Sequence, residues 1–366
     1  MKKIRVLVVD DSALMRKLIS EMLSSAPDIE VVGTAGDPYK ARDRILKLNP
    51  DVLTLDVEMP RMDGLTFLAN LMRARPMPVI MISSLTSRGC EVTVRALELG
   101  IVDFVTKPHI DLAETMITLR DSILTKVRLA ARSQVSRPAE AIRNNRTHST
   151  NSVKPASLLR TTQKIIVIGA STGGTQAISR VLPELPADMP GIVIVIHMPP
   201  GFTRSFADRL NEICALTVRE ASDGEKVLPG HALVAPGNLH TTIVRNGAEY
   251  AVAVGEGQPV NQFRPSVDVL FHSCAASAGE NSLGIILTGM GCDGANGLLA
   301  MRQAGAPTIA QDRKTSVVFG MPKQAIARGG VRTVCPLENI ASQIVSDTRE
   351  IMSGDRTHLS REGTSA

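Results

Sequence analysis

Short apolar runs alternate with segments of helical periodicity along most of the chain, and this alternation restricts the fold more than any other feature. In the first 125 residues the apolar runs lie at 4–9, 30–34, 52–55, 79–82 and 101–105. Repeated strand–helix units of this kind favour a parallel sheet with helices on both faces. The pattern therefore predicts a five-stranded, doubly wound α/β domain at 1–125, with strand order 2-1-3-4-5.

A second series of strand–helix units begins at Lys164 and continues to about residue 352. A β-hairpin is predicted within it, between 233–234 and 252–254, with its turn at Asn246-Gly247. At 366 residues the chain has room for two domains of ordinary size. We therefore predict a second, larger doubly wound parallel-sheet domain at 164–352, followed by a polar tail at 353–366.

The segment between the two domains, 126–163, lacks hydrophobic periodicity and is rich in Ser, Thr, Asn, Arg and Pro. It is predicted to be a flexible, solvated linker. Nine basic residues and one acidic residue lie at 126–164, so the net charge of +5 comes from the linker. Aromatic residues make up only 2% of the chain, which leaves little material for base stacking. Nucleic acid is not an expected partner, whereas attraction of an acidic partner to the linker stays an alternative.

Cysteine usage and hydropathy indicate a reducing compartment and no membrane insertion. The five cysteines are an odd number and form no C-x-x-C pair, which argues against a disulfide framework or a zinc site. No apolar run approaches the roughly 18 residues that a membrane span needs, and the first residues do not resemble a signal peptide. A cytoplasmic protein is expected.

Three aspartates follow strands of the first predicted sheet. Asp10 and Asp11 end the first strand and Asp56 ends the third, and these two strands are neighbours in the predicted order. Clustered carboxylates repel one another unless a hard divalent cation lies among them, so the cluster predicts an Mg²⁺ site suited to phosphoryl chemistry. The alternative is that each aspartate is a loop former or a helix cap.

Ser83 and Lys107 end the fourth and fifth strands and should reach the same edge of the sheet. A hydroxyl and an ammonium group there could stabilise charge on a phosphoryl group attached to Asp56.

Ser171, His197 and Asp293 each follow an apolar run of the second domain. Ser171 lies in GASTGG at 169–174, a glycine-flanked turn that presents a hydroxyl beside helix amides. Together the three residues predict a nucleophile, a base and an orienting carboxylate at one sheet edge. Their order along the chain differs from that of the α/β-hydrolases, so another fold with convergent chemistry is expected. The alternatives are a hydrogen-bonded histidine at a strand end, a capping aspartate, and Cys292 as nucleophile.

Across residues 1–125 the chain resembles a two-component response-regulator receiver domain. The resemblance rests on Asp10-Asp11, on LDVEMPRMDG at 55–64, on Ser83 and on Lys107-Pro108. It implies that Asp56 accepts a phosphoryl group from a histidine kinase, and that Mg²⁺ is held by Asp10, Asp11, Asp56 and the carbonyl of Glu58. Ser83 and Phe104 become the switch pair, with Lys107 beside them. Phe104 replaces a frequent tyrosine, so a signal through a phenolic hydroxyl is not expected.

Residues 164–352 resemble the effector of the chemotaxis protein-glutamate methylesterases, the CheB family. The resemblance rests on GASTGG at 169–174, HMPPGFT at 197–203, RPSVD at 264–268, LTGMG at 287–291 and VFGMP at 318–322. It implies the triad Ser171, His197 and Asp293, and a cofactor-free hydrolysis of glutamate methyl esters on methyl-accepting chemotaxis receptors. Methanol release and deamidation of receptor glutamines are implied as well. The backbone amides of Thr172 and Met290 are the oxyanion candidates.

The two resemblances together imply regulation, with the unphosphorylated receiver packed over Ser171 and released by phosphorylation of Asp56. Three other functions are compatible with parts of the sequence. A phosphorylation-gated receptor-binding module without turnover is the main alternative. A dinucleotide-binding oxidoreductase lacks the required glycine spacing, and a DNA-binding regulator would need a helix-turn-helix.

Overall fold

The computed structural model describes residues 2–57, 59, 63–83, 86–107, 113–133 and 164–353. Glu58, Pro108 and most of the predicted linker and tail lie outside the described residues. The predictions made on them stay predictions.

The first domain alternates strands and helices. Its elements are β1 (Ile4–Val9), α1 (Ala13–Ser24), β2 (Ile29–Ala35), α2 (Pro38–Leu48), β3 (Val52–Asp56), α3 (Gly64–Ala74), β4 (Val79–Ser83), α4 (Ser87–Glu98), β5 (Asp103–Thr106) and α5 (Ala113–Ala130). The strands form a parallel sheet in the order β2-β1-β3-β4-β5, which confirms the predicted order.

Continuous apolar strands form this sheet because helices cover both of its faces. In β1, Leu7 and Val9 pack into one apolar cluster, whereas Val6 and Val8 pack into another on the opposite face. β5 begins two residues later than predicted. Gly100, with a φ of 101°, ends α4, and the Ile101 N–H donates back to the carbonyl of Ala96.

α5 extends further than the sequence predicted. The linker was expected to begin at 126, but α5 continues to Ala130. Val127 and Ala130 are buried in the cluster beneath this helix, so the hydrophobic periodicity continues past residue 126, where it was predicted to end.

The second domain has a larger parallel sheet. Its elements are β6 (Ile165–Ala170), α6 (Gly174–Val181), β7 (Gly191–Ile196), α7 (Phe202–Ile213), β8 (Thr217–Glu220), β9 (His231–Val234), β10 (His240–Asn246), β11 (Glu249–Gly255), α8 (Val267–Ala278), β12 (Ser282–Ile286), α9 (Ala295–Gln303), β13 (Thr308–Gln311), α10 (Met321–Ala327), β14 (Thr333–Cys335) and α11 (Leu337–Ser353). The sheet order is β14-β13-β12-β6-β7-β9-β8. β6 lies at its centre, and the chain winds first to one side of it and then to the other. A binding crevice is expected where the winding reverses.

β10 and β11 form the predicted antiparallel hairpin, which packs on α8 as a separate two-stranded sheet. Asn246 pairs with Glu249, so the turn lies at 247–248, one residue later than predicted. Gly247 has a φ of 63°, which explains why a glycine stands there.

The two domains share one apolar cluster, which continues from α4 of the first domain into α6 and α7 of the second. Among the described helices, none combines the length and the apolar character needed to cross a bilayer.

Candidate active site

Three adjacent parallel strands end at the same edge of the larger sheet, and each carries a predicted site residue. Ser171 follows β6, His197 follows β7, and Asp293 lies in the loop between β12 and α9. β6 lies between the other two strands. Since the carboxyl ends of parallel strands meet at one edge, the order of the strands brings the three residues into one crevice.

Ser171 occupies a tight turn between β6 and α6. Its N–H donates to the carbonyl of Thr288 at 3.0 Å, and its carbonyl accepts from the Gly174 N–H at 2.7 Å. Gly173 has a φ of 77°, and a Cβ there would come within 2.6 Å of Val317. The turn therefore requires this glycine, both for its conformation and for the close contact with Val317.

His197 and Asp293 form a buried pair. His197 Nε2 lies 2.8 Å from Asp293 Oδ2, and the two side chains are 5% and 0% exposed. The His197 N–H donates to the carbonyl of Ala170 at 3.2 Å, which places the histidine next to the turn that carries Ser171 (residues 171–174, the nucleophile turn). Exclusion of water strengthens the interaction between the ring and the carboxylate.

Asp293 accepts hydrogen bonds from several further donors. Ser266 Oγ and Asn261 Nδ2 each donate to Oδ1 at 2.7 Å, and the Val267 N–H donates to Oδ2 at 2.7 Å. Burial by itself would raise the pKa of Asp293. The hydrogen bond and the charge interaction with His197, together with the hydrogen bonds from Asn261 and Ser266, outweigh burial and lower the pKa. Asp293 is therefore held as a carboxylate in a fixed orientation.

The imidazole of His197 has one nitrogen engaged and one open. Its Nδ1 is buried and has no hydrogen-bond partner among the described residues. The ring of Phe263 stacks on it, with centroids 3.6 Å apart and planes 7° apart. The structure forms no hydrogen bond between Ser171 Oγ and His197, and Nδ1 is the ring nitrogen that Asp293 leaves open. Such bonds often tighten only when substrate is bound.

Two backbone amides beside Ser171 are the predicted oxyanion donors. The N–H groups of Thr172 and Met290 donate to no other described residue. The loop that carries Met290 lies against the nucleophile, since a Cβ on Gly289 would come within 2.8 Å of Ser171 Cβ. Both amides can therefore face a carbonyl oxygen held at Ser171. Cys292, weighed as a nucleophile, lies beside Asp293 in this loop and is half-buried.

The aspartates of the first domain meet at its sheet edge. One carboxylate oxygen from each of Asp10, Asp11 and Asp56 lies within 4.8 Å of the others. Asp10 and Asp56 are buried, and Lys107 Nζ lies 2.8 Å from Asp56 and 3.4 Å from Asp10. Burial raises the pKa of Asp10 against the opposing charge of Lys107. Three convergent carboxylates beside a single ammonium group fit a hard divalent cation.

Of the predicted switch residues, Phe104 lies at the interface with the second domain. Ser83 Oγ accepts from Thr93 Oγ1 at 2.7 Å, and Thr93 lies on α4. Phe104 packs against Phe202 of α7, with ring centroids 4.4 Å apart. Lys126 Nζ lies 5.3 Å from the centre of the Phe104 ring. Phe104 therefore contacts the effector itself.

The first domain contacts the nucleophile turn directly. Thr172 Oγ1, in the residue after Ser171, donates to Asp103 Oδ2 at 2.7 Å. Gln176 Nε2, on α6, donates to the carbonyl of Ile101 at 2.7 Å. The start of β5 thus lies against the edge of the sheet that holds the candidate active site.

A charged pair closes the same interface between α4 and α7. Arg209 Nε and Nη2 donate to the two carboxylate oxygens of Glu98 at 2.8 and 3.2 Å. Bidentate pairs of this kind add orientation as well as attraction.

Sequence reasoning did not identify four residues that surround the triad: Asn261, Phe263, Ser266 and Asp103. Ser266 lies in RPSVD at 264–268, a string that was noticed but given no role. The others had no signal, because each acts across a long separation in sequence.

Comparisons with known proteins cover both domains. The sequence model described as CheB methylesterase matches residues 166–344, and that described as response regulator receiver domain matches residues 6–119. The chain is 57% identical to the protein-glutamate methylesterase/protein-glutamine glutaminase of Salmonella typhimurium, over 94% of this chain and 97% of that protein. It is 56% identical to the protein of the same name from Bordetella parapertussis, over 98% of this chain and 99% of that protein.

A solved structure supports the fold of the second domain. The crystal structure of the Thermotoga maritima CheB methylesterase catalytic domain aligns with a TM-score of 0.50 and 40% identity. The alignment covers 50% of this chain and 98% of that one.

Proposed function

The chain belongs to the CheB methylesterase family, with a response-regulator receiver as its first domain, and we propose that it is a phosphorylation-activated serine esterase. Its proposed substrates are glutamate methyl esters on methyl-accepting chemotaxis receptors, and its product is methanol. The observation that carries the proposal is the buried His197–Asp293 pair beside the Ser171 turn.

Acylation uses the open nitrogen of His197. Nδ1 takes the proton of the Ser171 hydroxyl as Oγ bonds to the γ-carbonyl carbon of the ester. The resulting imidazolium is stabilised by Asp293 through Nε2. When the bond to the methoxy group breaks, the imidazolium returns its proton to the leaving oxygen, and methanol departs from the acyl-enzyme.

Deacylation repeats these steps with water. Nδ1 takes a proton from the attacking water, the bond between the acyl carbon and Oγ breaks, and Oγ regains a proton from the ring. A free glutamate carboxylate leaves. With a glutamine substrate, ammonia departs in place of methanol, so the same route accounts for the glutaminase activity in the names of the relatives.

The negative charge on the carbonyl oxygen needs donors that are already in place. The amides of Thr172 and Met290 are proposed for this role. In comparable hydrolases, loss of one such donor costs about 2.7–4 kcal/mol in the barrier. The esterase step needs no cofactor.

Phosphorylation is proposed at Asp56, with a chemotaxis histidine kinase as donor. Asp10, Asp11 and Asp56, with the Glu58 carbonyl, would hold Mg²⁺. The ion would offset the charge of the phosphoryl oxygens. Lys107 already lies 2.8 Å from Asp56 and would stabilise the same oxygens.

Regulation by occlusion is supported by the contacts between the domains. Asp103 bonds to Thr172, and Phe104 packs on Phe202 just after the loop that carries His197. In this arrangement the first domain lies against the Ser171 turn, which a receptor helix would have to reach. Phosphorylation of Asp56 would shift Ser83 and Phe104 and weaken the interface. The kinase and the methylated receptor helices place the proposed reaction in the cytoplasm.

The test is methanol release from methylated receptor membranes, with and without a phosphodonor. Ser171→Ala should abolish release, because it removes the proposed nucleophile, while receptor binding is retained. Asp56→Asn should remove the response to the phosphodonor.

Two results would contradict the proposal. If wild type binds receptors but releases no methanol, the chain is a phosphorylation-gated binding module. Release that survives in Ser171→Ala would assign the nucleophile elsewhere, and Cys292→Ala would then test the neighbouring thiol.

A further inference from the structure

The loop between β11 and α8, residues 256–266, lies over the His197–Asp293 pair and contacts both members. Asn261 Nδ2 donates to Asp293 Oδ1 at 2.7 Å and to Asp268 Oδ2 at 2.8 Å. Two residues later, the Phe263 ring covers one face of the His197 imidazole at 3.6 Å. One short turn therefore reaches the base and the carboxylate together.

The turn at 260–263 adopts a backbone that is unfavourable for Gln262. Val260 and Phe263 exchange backbone hydrogen bonds at 3.1 and 2.9 Å, and the two residues between them, Asn261 and Gln262, have φ values of 53° and 72°. Asn tolerates the left-handed region, but Gln rarely adopts it, so the strain of this turn lies mainly at Gln262. Strain of this kind persists only where the surrounding structure enforces it, and it concentrates at functional sites.

The surroundings do enforce the conformation of this loop. His240 is buried, accepts from the Ser266 N–H at 3.3 Å, and therefore uses Nε2 to donate to the carbonyl of Gln258 at 3.0 Å. Arg264 binds the carbonyl of Gly257 at 2.7 Å and Asn238 Oδ1 at 2.7 Å. Both ends of the loop are thus tied to the start of β10 and to the segment before it.

We propose that Asn261 and Phe263 are positioning residues for the esterase step. The Asn261 amide holds Asp293 Oδ1 together with Ser266 Oγ, while Oδ2 faces the ring, and Phe263 holds the plane of the imidazole. His197 then keeps Nε2 on Asp293 and Nδ1 open toward the nucleophile turn. The inference rests on the proposed function, because positioning has a catalytic meaning only if Ser171 is acylated.

The geometry explains why two contacts are needed. An imidazole joined to its carboxylate by one hydrogen bond can still rock about that bond or flip and exchange its nitrogens. Stacking at 3.6 Å blocks rotation out of the plane, and the Asn261 amide adds to the donors that restrict rotation of the carboxylate. Misplacement of a catalytic group by about 1 Å can slow a reaction about a hundredfold.

The experiment uses the full chain with Mg²⁺ and acetyl phosphate, and compares Asn261→Ala, Phe263→Leu and Phe263→Tyr. Asn246→Ala, at the exposed end of β10, is the matched control. Steady-state methanol release gives kcat and KM. The downfield proton signal of ¹⁵N-histidine-labelled protein reports the Nε2–H of His197, and its absence in His197→Gln assigns it.

We expect Asn261→Ala and Phe263→Leu to lower kcat by about ten- to a hundredfold with KM unchanged. The downfield signal should broaden or disappear in both variants. Phe263→Tyr keeps the ring and should restore rate and signal, and Asn246→Ala should behave as wild type. If Phe263→Leu shows no unfolding transition in a thermal melt, it is not folded. Asn261→Ala, a change on an exposed turn, then tests by itself whether the turn positions His197.

An unchanged kcat in Asn261→Ala and Phe263→Leu would overturn the proposal, whether or not the signal changes. A lower kcat with an intact wild-type signal would also overturn it, because the residues would then act on the substrate and not through His197. If wild type releases no methanol, the proposed function fails, while the proton signal still shows whether the turn holds the pair.

Discussion

Asp293 keeps a negative charge in a position without solvent exposure, and its neighbours explain how. Burial favours the neutral acid, but the hydrogen bonds of His197, Asn261 and Ser266 favour the carboxylate and lower the pKa. Each donor also restricts the direction in which the carboxylate points. The same contacts therefore provide both the charge and the orientation that a base partner needs.

The sign of this pKa shift predicts how stability depends on pH. The Asp293 pKa is lower in the folded chain than its unfolded value of about 3.9. Its charge therefore stabilises the fold above about pH 4, and this contribution is lost as the pH falls through the lower folded pKa. Asp293→Asn should lower the thermal midpoint at pH 7, and the difference from wild type should narrow below about pH 4.

Thermal melts of both proteins between pH 7 and pH 3 provide the measurement, with the exposed Asp188→Asn as control. If the difference in thermal midpoint between wild type and Asp293→Asn widened on acidification, the pKa of Asp293 would be raised and not lowered by folding. In the methanol assay at pH 7, Asp293→Asn should lower kcat by about four orders of magnitude, because the amide favours the wrong tautomer.

The aspartates of the receiver predict a stabilising effect of Mg²⁺. A ligand that binds only the folded state stabilises it by about 2.7 kcal/mol at a concentration of 100 Kd. Mg²⁺ should therefore raise the thermal midpoint of wild type, and Asp10→Asn should remove most of this increase by deleting a buried ligand. Asp43→Asn, an exposed change on α2, is the control. An equal increase in Asp10→Asn and wild type would place the ion elsewhere.

At the scale of elements, α4 and β5 link the predicted phosphorylation site to the effector. α4 begins shortly after Ser83, and β5 ends just before Lys107. Together they contact the helices that follow the Ser171 and His197 loops, α6 and α7. α4 packs on α6 and α7, and Phe104 of β5 packs on Phe202. A small displacement of these two elements would therefore reach the nucleophile turn and the histidine loop at once.

The Glu98–Arg209 pair offers a test of this interface. Glu98→Gln should reduce the free energy that favours the closed arrangement of the two domains by about 0.5–1 kcal/mol, since the pair is partly exposed. The open fraction and the basal methanol release should then increase about two- to fivefold. The rate of the phosphorylated protein should not change. Glu91→Gln, on the exposed face of the same helix, is the matched control. Equal basal rates in Glu98→Gln and wild type would show that this pair does not hold the interface closed.

At the scale of the whole molecule, the two domains are joined by a shared apolar cluster as well as by polar contacts. Deleting residues 1–140 should expose the edge of the sheet around Ser171 and raise basal methanol release. The measurement compares the truncated protein with the unphosphorylated full chain on the same receptor membranes. A truncated protein that folds but is no faster would exclude occlusion as the means of regulation.

The sequence by itself determined the two parallel sheets, the order of strands in the first and the hairpin in the second. Apolar runs that are buried on both faces of a sheet, separated by helical segments, leave few other arrangements. The same rule predicted that Ser171, His197 and Asp293 would follow neighbouring strands, and that three aspartates would meet in the receiver. Their catalytic and metal-binding roles stay predictions.

Only the tertiary structure decided which nitrogen of His197 faces Asp293, what holds the ring, and how the domains meet. Asn261 and Phe263 belong to a loop with no periodic pattern, and Asp103 meets Thr172 across 69 positions of the chain. Local sequence determines backbone periodicity and burial, but contacts between irregular loops depend on where distant segments are brought by the packing of the sheets. For that reason the strand ends were predictable and their surroundings were not.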